Sequence, residues 1–129
     1  MNMKSGTAAV KSGTGLTGSG LRDWIVQRVS AVILAVYLVV LLGWILLSGP
    51  VEFASWQSFM LSAPMKVLNL LALLALVAHA WVGMWTVFTD YVTKGSMGAA
   101  ATPVRLVLQT LTIVGLIAYL LWGIMVFWA

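Results

Sequence analysis

The sequence predicts an all-α integral membrane protein that crosses the bilayer three times. Of its 129 residues, 62% are hydrophobic and only 8% are charged, whereas water-soluble chains carry about a quarter charged residues. The apolar residues fall into three runs, and each run has the roughly 20 residues that a transmembrane helix needs. We therefore expect lipid to be the solvent of most of this chain.

The three spanning helices are expected over about 24–48, 65–92 and 103–128, within a transmembrane domain that comprises residues 21–129. Residues 1–20 are rich in Gly, Ser and Thr and are predicted to form a flexible tail, because such a composition cannot build a core. Three helices are one short of a four-helix bundle, so the chain is expected to be part of a larger assembly.

Two connections join the predicted helices. In the first, residues 51–63, Phe53, Trp56 and Met60 fall on one helical face, which is typical of a short helix that lies on the membrane surface. The second connection, residues 93–102, consists mainly of small residues and is predicted to be a loop.

Basic residues predict the orientation of the chain. Six of them lie on the side of the membrane that holds the N-terminus and the second connection: Lys4, Lys11, Arg22, Arg28, Lys94 and Arg105. The first connection has only Lys66, against Glu52. By the positive-inside rule, the N-terminus is expected in the cytoplasm and the C-terminus outside.

The composition also excludes several classes of chemistry. There are no cysteines, so disulfides, thiolate metal sites and self-ligated iron–sulfur clusters are excluded. Three acidic residues leave little material for hydrolytic acid–base catalysis. The net charge of +4 is spread over helix ends, which indicates topology control rather than a nucleic-acid surface.

The only histidine of the chain, His79, falls at mid-depth in the second predicted helix, where an ionisable residue is costly and suggests a function. On a helical wheel, small and polar residues share one stripe: Ala72, Ala75, His79, Gly83, Thr86 and Asp90. Bulky apolar residues fall on the other side: Leu70, Leu74, Val77, Trp81, Met84, Trp85 and Phe88. Because membrane helices approach one another through small residues, His79 is expected to point into a bundle and the bulky side to face lipid.

Three interpretations of His79 compete. It is a structural histidine bonded to a neighbouring helix, a member of a proton relay, or a ligand to a metal or haem iron, which histidine often binds. A relay usually has several ionisable groups at depth, and His79 stands alone. A haem with two histidine ligands would need its second ligand from another chain, because this chain has one histidine.

Asp90 and Tyr91 follow His79 by about three helical turns, roughly 17 Å along the axis, which puts them near the cytoplasmic interface. Tyr91 is either a tyrosine of the interfacial aromatic belt or a hydrogen-bond donor to a membrane-dissolved ligand such as a quinone. Asp90 is either a solvated acid at a helix end or a group that orients a cation or relays protons. Arg28, about one turn inside the first helix, either extends to the headgroups or faces a buried anion or ligand.

Residues 79–92, HAWVGMWTVFTDYV, closely resemble the second helix of the small hydrophobic membrane-anchor subunit of bacterial succinate dehydrogenase (complex II). The resemblance extends to residues 23–28, DWIVQR, to Trp56 and Lys66 around the first connection, and to residues 105–109, RLVLQ. It covers most of the chain after the tail.

This resemblance implies that the chain pairs with a larger cytochrome b anchor subunit and that the two chains share one haem b. It implies that His79 is one axial ligand to the iron and that the partner supplies the other. Tyr91 would donate a hydrogen bond to ubiquinone, Asp90 would lie beside that site, and Arg28 would lie near the haem propionates and the quinone pocket. Succinate oxidation would belong to a flavoprotein subunit and electron transfer to an iron–sulfur subunit, so this chain would perform no dicarboxylate chemistry.

The family resemblance also implies a multi-pass protein of the bacterial inner membrane. Two alternatives stay open at this point. One is the anchor of a quinol:fumarate reductase, which runs the reverse reaction. The other is a small transporter or assembly protein in which His79 has a structural role.

Overall fold

The computed structural model describes residues 20–128, which form five α-helices and a short 3₁₀ turn. The helices are α1 (Gly20–Leu47), α2 (Phe53–Met60), α3 (Ala63–Tyr91), α4 (Lys94–Met97) and α5 (Ala101–Trp128), and the 3₁₀ turn is Gly98–Ala100. Three segments are long and apolar enough to span a bilayer, namely α1, α3, and α5 with the short elements that precede it. The prediction of an all-α membrane protein with three spanning helices is confirmed.

The spanning helices begin earlier than the apolar runs on which the predicted bounds were based. α1 begins at Gly20, α3 at Ala63 and α5 at Ala101. Helical backbone hydrogen bonds do not require apolar side chains. Polar residues such as Arg22 therefore extend α1 beyond its apolar part. Of the predicted N-terminal tail, residues 1–20, only Gly20 lies among the described residues.

The second connection is more ordered than the predicted loop. Thr93 forms a capping box with Ser96, because the Thr93 hydroxyl accepts from the Ser96 backbone N–H and the Ser96 hydroxyl accepts from the Thr93 backbone N–H. Such a box satisfies two N–H groups that a helix start leaves free. The prediction of a loop was wrong here. It was based on the many small residues and did not take into account that Thr93 and Ser96 cap a short helix.

α3 is the central helix of the fold and packs against both α1 and α5. Towards α1, His79 contacts Ser30, and Asn69 contacts Tyr37. The residue number therefore falls along α3 as it rises along α1, so the two helices are antiparallel. Two small residues of α3, Ala72 and Ala75, are buried on this side of the helix.

α5 packs antiparallel on another side of α3. Arg105 contacts the backbone of Val92 near one end of the pair, and Gly123 lies against Leu73 towards the other. A Cβ at Gly123 would come within 2.6 Å of Leu73 Cδ2, so glycine permits the close approach. The N-terminus of α1, the C-terminus of α3 and the N-terminus of α5 consequently share one side of the membrane.

The expectation that the bulky side of α3 faces lipid was wrong in part. Phe88 is only 5% exposed, and Trp81 and Trp85 are half-buried. The reason is that α3 has neighbours on two sides, so α5 covers part of the surface opposite His79. At the C-terminal end of the small stripe, Thr86 and Asp90 are exposed instead of buried.

The first connection contains the predicted short helix, with α2 spanning Phe53–Met60. Gly49 has a φ of +72° just after α1, a left-handed conformation that glycine adopts without a Cβ clash, and the chain turns there. The Trp44 ring of α1 then stacks on Phe59 with centroids 4.6 Å apart and meets Trp56 edge-on at 5.6 Å. These ring contacts hold α2 against the end of α1.

Asn69 joins α1, α2 and α3 at this end of the molecule. It is 1% exposed, its Oδ1 accepts from the Tyr37 hydroxyl at 2.9 Å, and its Nδ2 donates to the Met60 carbonyl at 3.0 Å. A buried amide needs such partners because an unpaired polar group in an apolar interior costs about 1–3 kcal/mol.

Asn69→Ala is expected to destabilise the purified protein by about 2–3 kcal/mol, because it leaves both partners unpaired. Tyr37→Phe should cost about 1 kcal/mol, within the range for hydrogen bonds between membrane helices. The double variant should be more stable than the sum of the two losses predicts, as measured by thermal or denaturant unfolding in lipid. Thr110→Val, which removes only an exposed bond within α5, is the control; strictly additive losses for Asn69 and Tyr37 would contradict the link between them.

Candidate functional site

His79 lies near the middle of α3, 16 residues after Ala63 and 12 before Tyr91. At about 1.5 Å per residue, it is roughly 24 Å from one end of the helix and 18 Å from the other. The side chain is half-buried and faces α1, as the small-residue stripe predicted. A residue this far from both ends of a spanning helix is expected within the hydrocarbon, where water does not satisfy polar groups.

Both ring nitrogens of His79 have partners on α1. The Ser30 hydroxyl oxygen lies 3.0 Å from Nδ1, and the Gln27 amide nitrogen lies 3.3 Å from Nε2. In the amide orientation of the structure, the Gln27 nitrogen faces His79 Nε2, and because an amide nitrogen only donates, Nε2 accepts with its lone pair. The proton then resides on Nδ1 and is donated to Ser30, whose own hydroxyl proton goes to the Gln27 backbone carbonyl at 3.0 Å.

Of the two ring nitrogens, Nε2 is the one that a metal would use, and the Gln27 amide contacts it in this structure. A neutral imidazole with its proton on Nδ1 presents a lone pair on Nε2, and that is the form in which histidine ligates metals. The second nitrogen of a metal-ligating histidine almost always donates to a neighbouring group, and Ser30 is such a group. The residues present therefore fit a haem iron bound at Nε2.

An apolar groove lies beside Ser30, the residue that contacts His79 Nδ1, and His79 itself does not line it. This groove has a volume of about 260 Å³ and separates the faces of α1 and α3. Its lining is almost wholly aliphatic: Ile25, Val26, Val29, Ser30, Ile33, Ala75 and Ala78. Within residues 20–128, no three side chains of the His, Cys, Asp or Glu type come together, so this stretch builds no site of three or more such donors.

Arg28 follows Gln27 directly, and its backbone therefore lies at nearly the same depth as His79. Its guanidinium carbon is 5.5 Å from the centroid of the Trp24 ring, within the range of a cation–π contact. Both side chains are exposed on the outer surface of α1. The charge of Arg28 is thus available to a group that approaches α1 from outside the chain.

Tyr91 and Asp90 lie at the end of α3, away from His79. Tyr91 is 74% exposed, and Asp90 is also exposed. Nearby, the Ser96 hydroxyl donates to the Tyr91 carbonyl at 2.9 Å, and Arg105 Nη2 donates to the Val92 carbonyl. These bonds fix the backbone that carries Tyr91, while its phenol stays accessible.

Ser30 and Gln27 were not predicted from the sequence as partners of His79. A signal for them exists in the spacing of the polar residues of α1, since Asp23, Gln27, Ser30 and Tyr37 are separated by four, three and seven residues. This spacing puts them on one helical face. Asp23 and Ser30 are buried, and Ser30 and Tyr37 bond to α3.

The fold and this site define a helical membrane subunit, with a metal-competent imidazole at mid-depth and an accessible phenol near one membrane surface. The model of the succinate dehydrogenase/fumarate reductase transmembrane subunit family matches residues 11–127, and the chain belongs to this family. It is 36% identical over 109 residues to the succinate dehydrogenase hydrophobic membrane anchor subunit of Coxiella burnetii, which covers 84% of this chain and 89% of that relative. The resemblance drawn from residues 79–92 is confirmed.

Family membership makes this chain a multi-pass membrane subunit of the succinate dehydrogenase/fumarate reductase type. The alternative of a small transporter or an assembly protein loses its support, because the match extends over nearly the whole chain.

Arg105→Met is expected to loosen the end of α3, because it removes the hydrogen bond from a charged group to the Val92 carbonyl. Such bonds contribute about 1.5–3 kcal/mol, so amide hydrogen exchange in residues 90–97 should accelerate by roughly tenfold or more. Lys66→Met, which removes a cation at the opposite end of α3, should leave exchange in this segment unchanged. Unaltered exchange in Arg105→Met would contradict the role assigned to this bond.

Proposed function

We propose that this chain anchors a succinate:quinone oxidoreductase in the bacterial inner membrane, shares one haem b with a larger cytochrome b subunit and contributes to ubiquinone reduction. The observation that carries this proposal is the pair of contacts that His79 makes with α1, Ser30 at Nδ1 and Gln27 at Nε2. With the amide oriented as in the structure, these contacts assign the proton to Nδ1 and the lone pair to Nε2. Family membership supplies the context in which such an imidazole is useful.

His79 is the residue of this chain that would hold the haem iron, through Nε2. When bound, haem b supplies reversible one-electron chemistry at mid-membrane. Arg28 is the cation that would meet a propionate, since it lies next to Gln27 in sequence and is exposed at the same depth. A propionate that is paired with arginine gains a charge-assisted hydrogen bond, which is strong away from water.

The second axial ligand is assigned to the partner chain. The full sequence has a single histidine, and a bis-histidine haem needs two. The outer surface of α1 supports a partner at this level, because Val29, Val32 and Val36 are each at least half exposed. Such a surface is compatible with lipid and with an apolar helix of another subunit, and the partner would complete the enclosure of the macrocycle.

Tyr91 is proposed to donate its phenolic proton to a carbonyl oxygen of ubiquinone. Its 74% exposure leaves the hydroxyl accessible, and its position at the end of α3 suits a substrate that exchanges electrons and protons near the membrane surface. Asp90 is the adjacent acid and would orient a partner cation or deliver protons to this site. The chain itself provides no residue for succinate chemistry, which is assigned to the flavoprotein subunit.

The same side of the membrane is proposed to receive the iron–sulfur and flavoprotein subunits. Arg22, Lys94 and Arg105 lie on that side together with Tyr91, whereas Lys66 lies on the other. The positive-inside rule assigns the basic side to the cytoplasm. The C-terminus of α5 is then periplasmic.

A fumarate reductase anchor is the second candidate, because the description of the matching family covers both enzymes. The name of the Coxiella relative favours succinate oxidation.

His79→Ala in the assembled complex is expected to abolish the low-spin, six-coordinate haem spectrum, because one axial ligand is removed. Membrane insertion should persist, since the substitution does not make α3 less apolar. The measurements are the reduced-minus-oxidised absorption spectrum and the haem content of the purified complex. Gln109→Ala, which truncates a half-buried polar residue of α5, is the matched control, and an unchanged low-spin spectrum in His79→Ala would refute the ligand assignment.

Tyr91→Phe removes one hydroxyl and keeps the ring, so quinone reduction by the complex is expected to fall by roughly 3–10-fold, the equivalent of one ordinary hydrogen bond. Succinate oxidation with a soluble acceptor should not change. Tyr119→Phe, at an exposed tyrosine of α5, should have no effect in either assay. Undiminished quinone reduction, or an equal loss in both assays, would count against a quinone contact at Tyr91.

A further inference from the structure

We propose that Ser30 is a positioning residue for the iron ligand. Its hydroxyl oxygen accepts the Nδ1 proton of His79, and this bond fixes the tautomer and the plane of the ring. The inference deepens the proposed function and rests on it, because it concerns the same site. According to this proposal, a residue of α1 that does not bind the iron also affects the reduction potential of the haem.

With the Gln27 amide oriented as in the structure, the hydrogen-bond roles around Ser30 have one consistent assignment. If the proton were on His79 Nε2, it would face the amide donor of Gln27 at 3.3 Å, and two donors would oppose each other. With the proton on Nδ1, all three groups have compatible roles. The Ser30 hydroxyl proton is directed to the Gln27 carbonyl, which leaves the Ser30 oxygen free to accept from His79.

The contact between Ser30 and His79 is buried, so its loss would leave His79 Nδ1 without a hydrogen-bond partner. Ser30 is 3% exposed and lies within the span of α1, so no water replaces its hydroxyl if it is removed. The Nδ1 proton would then be unpaired in an apolar interface. The ring would gain freedom to rotate or to move its proton to Nε2, and the Nε2-protonated form has no lone pair for iron.

The contact with Gln27 differs in kind, because it uses the position that iron would take. Gln27 donates to the Nε2 lone pair, so its amide must leave when a metal binds there. Its Oε1 is buried without a hydrogen-bond partner, so the side chain is weakly held. Ser30, in contrast, contacts the nitrogen opposite the metal and keeps its bond in both states.

Ser30 should therefore lower the reduction potential of the haem. A hydrogen bond from Nδ1–H raises the electron density on Nε2 and makes the imidazole a stronger donor. A stronger donor stabilises the ferric ion more than the ferrous ion. Removal of the hydroxyl should shift the midpoint potential in the positive direction.

The test uses the purified complex and compares Ser30→Ala with Ser30→Thr, which retains a hydroxyl. Ser30→Ala should shift the haem midpoint potential positively and alter the low-spin electron paramagnetic resonance signal, whereas Ser30→Thr should preserve the wild-type values. Thr112→Val removes a hydroxyl that bonds to a carbonyl of its own helix, as Ser30 does, but away from His79, and should change neither. A wild-type potential and signal in haem-loaded Ser30→Ala would overturn the proposal.

A second measurement does not require haem or assembly of the complex. Because the chain has one histidine, ¹⁵N ring labelling of the full chain in lipid bilayers gives one pair of imidazole resonances. The wild type should show a protonated Nδ1 and an unprotonated Nε2, and Ser30→Ala should move population to the other tautomer. A wild-type ring protonated on Nε2, or the same tautomer distribution in both chains, would overturn the proposal.

Different results would contradict the proposed function and the role of Ser30. If His79→Ala keeps its low-spin haem, the proposed function fails, and the role of Ser30 towards iron fails with it. If His79→Ala loses that haem while loaded Ser30→Ala behaves as wild type, the ligand assignment stands and only the positioning role is wrong.

Discussion

Polar groups in the hydrocarbon of a bilayer must find their hydrogen-bond partners inside the protein, and this constraint determines how α1 meets α3. Two sets of contacts satisfy it. His79 is bonded to Ser30 and Gln27, and Asn69 is bonded to Tyr37. Because each contact joins the same two helices, together they fix the antiparallel register, and the small residues between them allow the close approach.

His79 and Tyr91 lie in two different chemical environments along α3. His79 lies near the middle of α3 and faces α1, where its Nδ1 contacts Ser30 and its Nε2 contacts Gln27. Tyr91 lies 12 residues further on, roughly 18 Å away, where a phenol can meet a lipid-soluble molecule at the membrane surface. Under the proposed function, one helix thus carries both the haem ligand and the quinone contact.

Much of the fold was predictable from the sequence, because length and apolarity define membrane spans and the stripe of small residues identified the face of α3 that meets α1. The environment of Phe88 was not, since a helical wheel does not reveal that a second neighbour, α5, covers the opposite side. His79, Asp90, Tyr91 and Arg28 stood out because ionisable or amphipathic groups are rare in such a chain. Ser30 was overlooked because a serine is common in membrane helices, and its role depends on a partner 49 residues away.

The central claim is that His79 binds haem iron through Nε2 while Ser30 holds Nδ1. An experimental structure of the purified complex, at a resolution that places the imidazole ring, tests both halves of it at once. The account predicts iron at coordination distance from His79 Nε2, with the Ser30 hydroxyl within hydrogen-bond distance of Nδ1 and the Gln27 amide displaced. A ring still bonded to Gln27 through Nε2, with the haem iron ligated elsewhere, would contradict it.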